Sequence, residues 1–167
     1  MMNRKTRRLL VQLARAIPGL YPLLAFMIAR RVMVRGWSMY PELRPGDRVL
    51  CDRLAYWGGG PRRGEVVLAV HPARPGLRMV KRVGAVPGDA VPLEWAGQSA
   101  GTPRGRDGPP GRLYAPDSPA LGRDEYWLLG DAPDASTDSR ALGPVRRRHI
   151  LARAWLLYWP LERWRTL

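Results

Sequence analysis

From residue 32 onward the chain is a succession of short apolar runs, "RVMVRG", "DRVLCDRLAY", "GEVVLAV", "RMVKRVGAV", "DEYWLLG" and "ILARAWLLYW", each bounded by glycine- or proline-rich turns. Runs of this length, rich in β-branched and aromatic residues, read as strands, and their spacing excludes a bundle of long helices. The expectation is a mostly β fold, antiparallel sheets closing toward a barrel. The 17 prolines and 18 glycines are spread between the runs rather than massed in one tail, which is how turns punctuate a sheet. With 167 residues and 46% hydrophobic content, the chain is neither disordered nor too short to bury a core, and one domain is the prior.

The first thirty residues differ. Arg4, Arg8, Gln12 and Arg15 recur at three- to four-residue intervals with Leu9, Leu10, Leu13 and Ile17 between them, the pattern of an amphipathic helix with a basic face that lies readily on anionic lipid. The uncharged stretch "AIPGLYPLLAFMIA" follows at 16–29. As helix it reaches only about 21 Å against a hydrocarbon core of about 30 Å, so a full span must recruit Gln12 and Arg15. Residues 1–31 are therefore read as a membrane-associated segment, spanning rather than lying flat, with a soluble pair of helices packed on the domain as the alternative. It lacks the small-residue cleavage signature of a removable signal peptide. Residues 32–167 form the second unit, within which 96–122 has little apolar periodicity and reads as a loop excursion between strands.

The formal charge of +14 arises almost wholly from arginine, the lysines being Lys5 and Lys81 alone. The basic residues are dispersed, with no zinc-finger spacing and no basic-aromatic single-strand motif, so nucleic acid is not an expected partner. The lone cysteine, Cys51, cannot form an intrachain disulfide and sits in an apolar run as a small core residue. At the C-terminal end Trp155, Tyr158, Trp159 and Trp164 alternate with arginines, a mixture suited to a membrane interface as well as to a final strand.

Chemistry enters at "VRGWSMYPELRPGD" (34–47), where Ser38 stands between two large side chains. A serine hydroxyl is nearly inert at neutral pH without a base. His71, in "AVHPARPG", and His149, after "RRR", read as solvated turn residues. Lys81 lies in an apolar strand of a chain that otherwise writes arginine, and only the lysine of the two can give up its proton and act as a base; alone it reads equally as an edge-strand residue. The segment "GDAPDASTDSRALGPV" (130–145) then concentrates Asp131, Asp134, Ser136, Asp138, Ser139 and Arg140 in one loop, more polar groups than a turn requires.

In this order, "GWSMYPELRPGD", "RRGEVVLAVHP", "MVKRVGAVPGD" and "GDAPDASTDSRALGPV" resemble the type I signal peptidase family, serine proteases with a Ser-Lys dyad. The resemblance covers most of residues 32–147. It implies Ser38 as nucleophile and Lys81 as general base, Ser136 as the hydroxyl that hydrogen-bonds the lysine amine, and Asp138 with Arg140 as the supporting ion pair. It also implies a shallow apolar pocket for small side chains, lined by Val34, Leu43, Met79 and Val80, and an oxyanion donor in the Ser38 main-chain N–H, with Gly36 where some members carry a second donor. No metal and no cofactor are implied. The implied partners are precursor proteins carrying signal or leader peptides together with membrane lipid, and the implied location is the plasma membrane with the catalytic domain on its outer face.

Two positions depart from the family: Ala132 replaces an asparagine, which loosens its loop, and Glu42 replaces a threonine, which brings a charge to the nucleophile loop. The compact size also suits the small relatives that mature one dedicated precursor, such as the nickel-type superoxide dismutase maturation proteases. Two rivals remain at this point: a self-cleaving repressor-type Ser-Lys protease, against which the apolar N-terminus counts, and an inactive membrane scaffold with the same fold.

Overall fold

A computed structural model describes residues 3–17, 19–92, 95 and 120–167; most of the excursion expected at 96–122 lies outside them. All six apolar runs form strands: β1 (Arg30–Met33), β2 (Arg48–Asp52), β3 (Val66–Val70), β4 (Arg78–Ala85), β5 (Glu125–Leu129) and the long β7 (Ile150–Trp159). Two further strands are only two residues each, β6 (Val145–Arg146) and β8 (Arg165–Thr166). The sheet is antiparallel throughout, in the order β1-β2-β7-β3-β4-β5-β6, with β8 paired to β7. The expected mostly β architecture is present as a curved half-barrel.

Curvature has a local cause. Between β2 and β7 the register shifts twice, after Arg48↔Trp159 and again between Leu50↔Leu156 and Cys51↔Ala154, and each extra residue bends and twists the strand that holds it. Successive side chains point to opposite faces, so the sheet carries a core on each. Val66 and Leu68 join Val49, Cys51, Ala152, Ala154 and Leu157 in one cluster, which Met39 and Leu43 of the 34–47 loop complete. Val67 and Ala69 join Val83, Leu128, Val145 and Ile150 in the other. Leu43 is wholly buried, and burying such a side chain stabilises by about 1.5–3 kcal/mol, so the loop before β2 is bound to the sheet as firmly as a strand. Cys51 is a core residue as expected, and burial pushes its thiol up to about 12.

The N-terminal segment departs from the span expected of it. It forms two helices, α1 (Arg4–Ala16) and α2 (Leu20–Ile28), separated at Gly19, whose φ of +80° belongs to the left-handed region that a side chain disfavours. Among the described residues no helix is long and apolar enough to cross a membrane. The nine residues of α2 reach about 14 Å. The helices pack as a pair, with Val11, Ala14 and Ala25 buried, and Tyr21 donates a hydrogen bond to Asp52 of β2 at 2.5 Å. The expected amphipathic sorting is only partial: Leu9, Leu10, Leu13 and Ile17 stay exposed, as do Leu23, Phe26 and Met27 of α2, Met27 at 74%. At the other end of the chain Trp159 and Trp164 are exposed, Trp155 and Tyr158 half-buried.

Candidate active site

Three segments converge beneath the 34–47 loop. The loop brings Ser38, the middle of β4 brings Lys81, and the turn after β5 brings Asp131, Ser136, Asp138 and Arg140. The loop turns at Gly36, in the left-handed region at φ +82°, and is closed by Tyr40 N–H to Trp37 O, Leu43 N–H to Met39 O at 2.7 Å, and Val34 N–H to Asp47 O at 2.8 Å. Its connection to the β5 turn is made by main chain: the N–H of Ala132 donates to the carbonyl of Ser38 at 3.1 Å.

Gly130 is where the pieces meet. A side-chain carbon on it would come within 2.5 Å of the Ser38 carbonyl oxygen and closer still to Ser136 Oγ, so only a hydrogen fits there. The Lys81 amine donates to Ser136 Oγ at 2.8 Å, and Ser136 Oγ donates in turn to Asp138 Oδ2 at 2.7 Å. The Ser38 main chain, the Ser136 side chain and the Asp138 carboxylate thus all meet Gly130, a glycine without a role in the sequence reading, and Lys81 is tied to them through Ser136. The one sequence signal of Gly130 was its place at the head of the polar segment.

Lys81 is 3% exposed. Its amine is lowered from the ordinary 10.5 to about 8, chiefly by burial and with help from the Arg140 guanidinium, against the opposing charges of Asp138 and Asp131. Among the described residues the side-chain hydrogen bond of the amine goes to a hydroxyl and not to a carboxylate.

Asp138, 1% exposed, is the most heavily bonded group of the site. It receives the Gly130 N–H at 2.7 Å, the Ser136 hydroxyl, the Arg140 N–H, and the Arg140 guanidinium at 3.0 and 2.6 Å. Burial pushes its carboxyl up, but the Arg140, Gly130 and Ser136 hydrogen bonds together outweigh burial and hold it below the usual carboxylate range. It also caps the short helix α3 (Ser139–Leu142), whose Ser139 hydroxyl accepts the N–H of Leu128 and so fastens the turn to β5.

Next to Lys81, Arg82 grips Asp131 with two hydrogen bonds of 2.8 Å and reaches Gly64 O at 3.0 Å. Arg82 carried no signal in a sequence where arginine is common. Together with the Ala132 N–H it ties the turn that Ala132 was expected to loosen. The charge expected at Glu42 is also met, since Arg165 reaches its carboxylate at 3.1 Å.

Of the residues expected to line an apolar pocket, Val34 and Leu43 sit in the first core cluster and Val80 packs against it. Met79, one step along β4, faces the other way and packs against the second cluster, because neighbours in a strand alternate sides. The histidines differ from the solvated residues expected. His71 is 8% exposed and its Nδ1 accepts the Ala73 N–H; His149 is half-buried, its Nδ1 without a partner among the described residues. Among the described residues neither bonds to Ser38 or Lys81.

Known proteins align with this arrangement over most of the chain. The profile of the family described as "Signal peptidase, peptidase S26" matches residues 7–99 and 104–159. Mitochondrial inner membrane protease subunit 1 of Xenopus tropicalis is 35% identical over 135 residues, 81% of this chain and 72% of that protein. Signal peptidase I of Leptolyngbya laminosa is 31% identical over 137 residues, 75% of this chain and 66% of that protein. Mitochondrial inner membrane protease subunit 2 of Mus musculus is 31% identical over 140 residues, 80% of this chain and 69% of that protein.

Proposed function

The chain belongs to the signal peptidase family, peptidase S26, and on that premise we propose that it is a serine endopeptidase that removes signal or leader peptides from precursor proteins through Ser38 and Lys81. The observation that carries this reading is the state of Lys81: a buried amine, lowered to about 8, whose side-chain hydrogen bond among the described residues goes to Ser136. A lysine held only to neutralise a charge would sit against a carboxylate and be raised.

In the proposed reaction Ser38 Oγ attacks the scissile carbonyl carbon while its proton passes to the neutral Lys81 amine. The developing oxyanion is met by the main-chain N–H of Ser38, a single donor because Gly36 supplies no side chain; an oxyanion donor is worth about 2.7–4 kcal/mol in such reactions. The tetrahedral intermediate collapses, the C–N bond breaks, and the leaving amine takes the proton from Lys81. Lys81, neutral again, deprotonates a water that attacks the acyl-serine and regenerates the hydroxyl. Ser136 aims the amine, and the Asp138–Arg140 pair fixes Ser136. Of the residues expected at the pocket for the small residue before the cut, Met79 and Val80 are half-buried and can meet a peptide, while Val34 and Leu43 are core residues that support the nucleophile loop.

The setting is a membrane surface, in keeping with relatives named for an inner membrane and with the exposed apolar residues of α1 and α2. The test is cleavage of a leader-bearing precursor with alanine before the cut. Ser38→Ala and Lys81→Arg should each be inactive while remaining folded, the arginine because it cannot release its proton. More than about a tenth of wild-type activity in either variant would refute the dyad, since loss of a nucleophile or its base ordinarily costs several orders of magnitude.

A further inference from the structure

The loop that carries Ser38 is held from outside the site by two arginines near the C-terminal end. Arg163 closes a 3-10 turn (Leu161–Arg163), and Arg165 lies in β8, which pairs with the core residue Leu157 of β7. Arg163 Nη1 donates to both oxygens of Asp47 at 2.8 and 2.7 Å, and its Nη2 donates to the Glu42 carbonyl at 3.1 Å. Arg165 Nη2 donates to that same carbonyl at 2.5 Å and to the Glu42 carboxylate. Asp47 also accepts the Arg44 N–H, and its side chain is 3% exposed.

We propose that Arg163, assisted by Arg165, is a positioning residue for the reaction: the pair fixes the Glu42–Leu43 peptide and Asp47, and through them both the nucleophile and the wall of the substrate pocket. The path is short. Leu43 is wholly buried and its N–H is bonded to Met39 O at 2.7 Å; Met39 is itself buried and adjoins Ser38. A shift at 42–43 therefore moves Ser38 relative to Lys81, which sits on a separate strand, and moves the Leu43 side chain within the core cluster that Val80 packs against. Misplacing a reacting group by about 1 Å costs on the order of a hundredfold in rate. The charges that act on Lys81 are Asp138, Arg140 and Asp131, so the clasp works on geometry and not on the base.

The inference rests on the reading of Ser38 as nucleophile, and the experiment separates the two. Arg163→Gln, Arg163→Lys, Arg165→Gln and Ser38→Ala are compared on two peptides that differ only in alanine or leucine before the cut, in samples matched for folded protein by near-ultraviolet circular dichroism. Arg163→Gln should lose at least tenfold in kcat with KM within about twofold, cut the alanine peptide with less preference over the leucine peptide, and leave the acid limb of kcat/KM against pH unmoved. Arg165→Gln should lose about two- to threefold. Arg163→Lys keeps the charge at Asp47 without the bond to the Glu42 carbonyl and should fall between wild type and Arg163→Gln; it carries the test if the glutamine variant does not fold. Wild-type kcat and selectivity in a folded Arg163 variant overturns the clasp while an inactive Ser38→Ala leaves the dyad standing. An active Ser38→Ala overturns the dyad whatever the arginine variants do.

Discussion

Lys81 should cost the fold what it lends the chemistry. Its amine is 3% exposed and lowered from 10.5 to about 8, so at any pH below 8 the native state holds a charged group where a neutral one is preferred. The penalty is about 3 kcal/mol. Lys81→Met keeps the length of the side chain and removes the charge. It also leaves Ser136 Oγ without its donor, at a cost of about 1 kcal/mol, although that hydroxyl still donates to Asp138. The variant should thus be more stable than wild type by about 2 kcal/mol at pH 6, and completely inactive. The sign of the pH dependence follows from proton counting. Between about 8 and 10.5 the unfolded lysine binds a proton that the folded one has released, so wild-type stability rises with pH through that window and the gap narrows to about 1 kcal/mol at pH 9. Urea unfolding followed by tryptophan fluorescence, with Trp127 fully buried as a reporter, measures the gap at each pH. A gap that is constant with pH, or a variant less stable than wild type at pH 6, would refute the claim that burial depresses this amine.

The two members of the ion pair should move the base in opposite directions. Asp138→Asn removes a charge that raises Lys81 and should shift the acid limb of kcat/KM to lower pH, whereas Arg140→Gln should shift it to higher pH; shifts of the same sign would contradict the assignment. Asp138→Asn should also lose about 3 kcal/mol in a denaturation experiment, because it leaves the half-buried Arg140 without its carboxylate. Gly130→Ala forces a methyl against the Ser38 carbonyl and the Ser136 side chain and should lower kcat about a hundredfold or more while costing about 1–3 kcal/mol in stability; wild-type kinetics from this variant would show that the turn has room to spare. Cys51, buried and pushed up to about 12, should resist thiol reagents in native protein and react fully in urea, as followed by mass spectrometry.

What the sequence revealed divides along physical lines. Each of the six apolar runs was legible as a strand because burial imposes a local pattern, and β6 and β8 were not, since two residues carry no pattern. The order of strands in the sheet is set by contacts between distant parts of the chain, which no window contains. Ser38 and Lys81 stood out as residue types foreign to their surroundings, whereas Ser136, Asp138 and Arg140 stood in a loop dense in polar groups and took their roles from the resemblance to the signal peptidase family. Arg82 and Arg163 did not, because arginine is the ordinary basic residue of this chain and a structural arginine looks like any other. The span expected from the uncharged stretch 16–29 failed on its length and at Gly19, where the backbone turns left-handed and ends one helix before the next begins.

The sheet order sets a timetable. Ser38 arrives with β1 and β2, and Lys81 with β3 to β6, yet among the described residues these two halves share no strand pairing until β7 lies between them, with β2 on one side and β3 on the other. β7 begins at Ile150, so a chain leaving the ribosome has Ser38 and Lys81 long before it has the strand that joins their halves. Each half must wait, edges open to pairing, for a late segment to close the gap. On the proposed reading of Ser38 and Lys81, a chain broken off before residue 150 carries both residues without the strand that joins their halves and should show no peptidase activity.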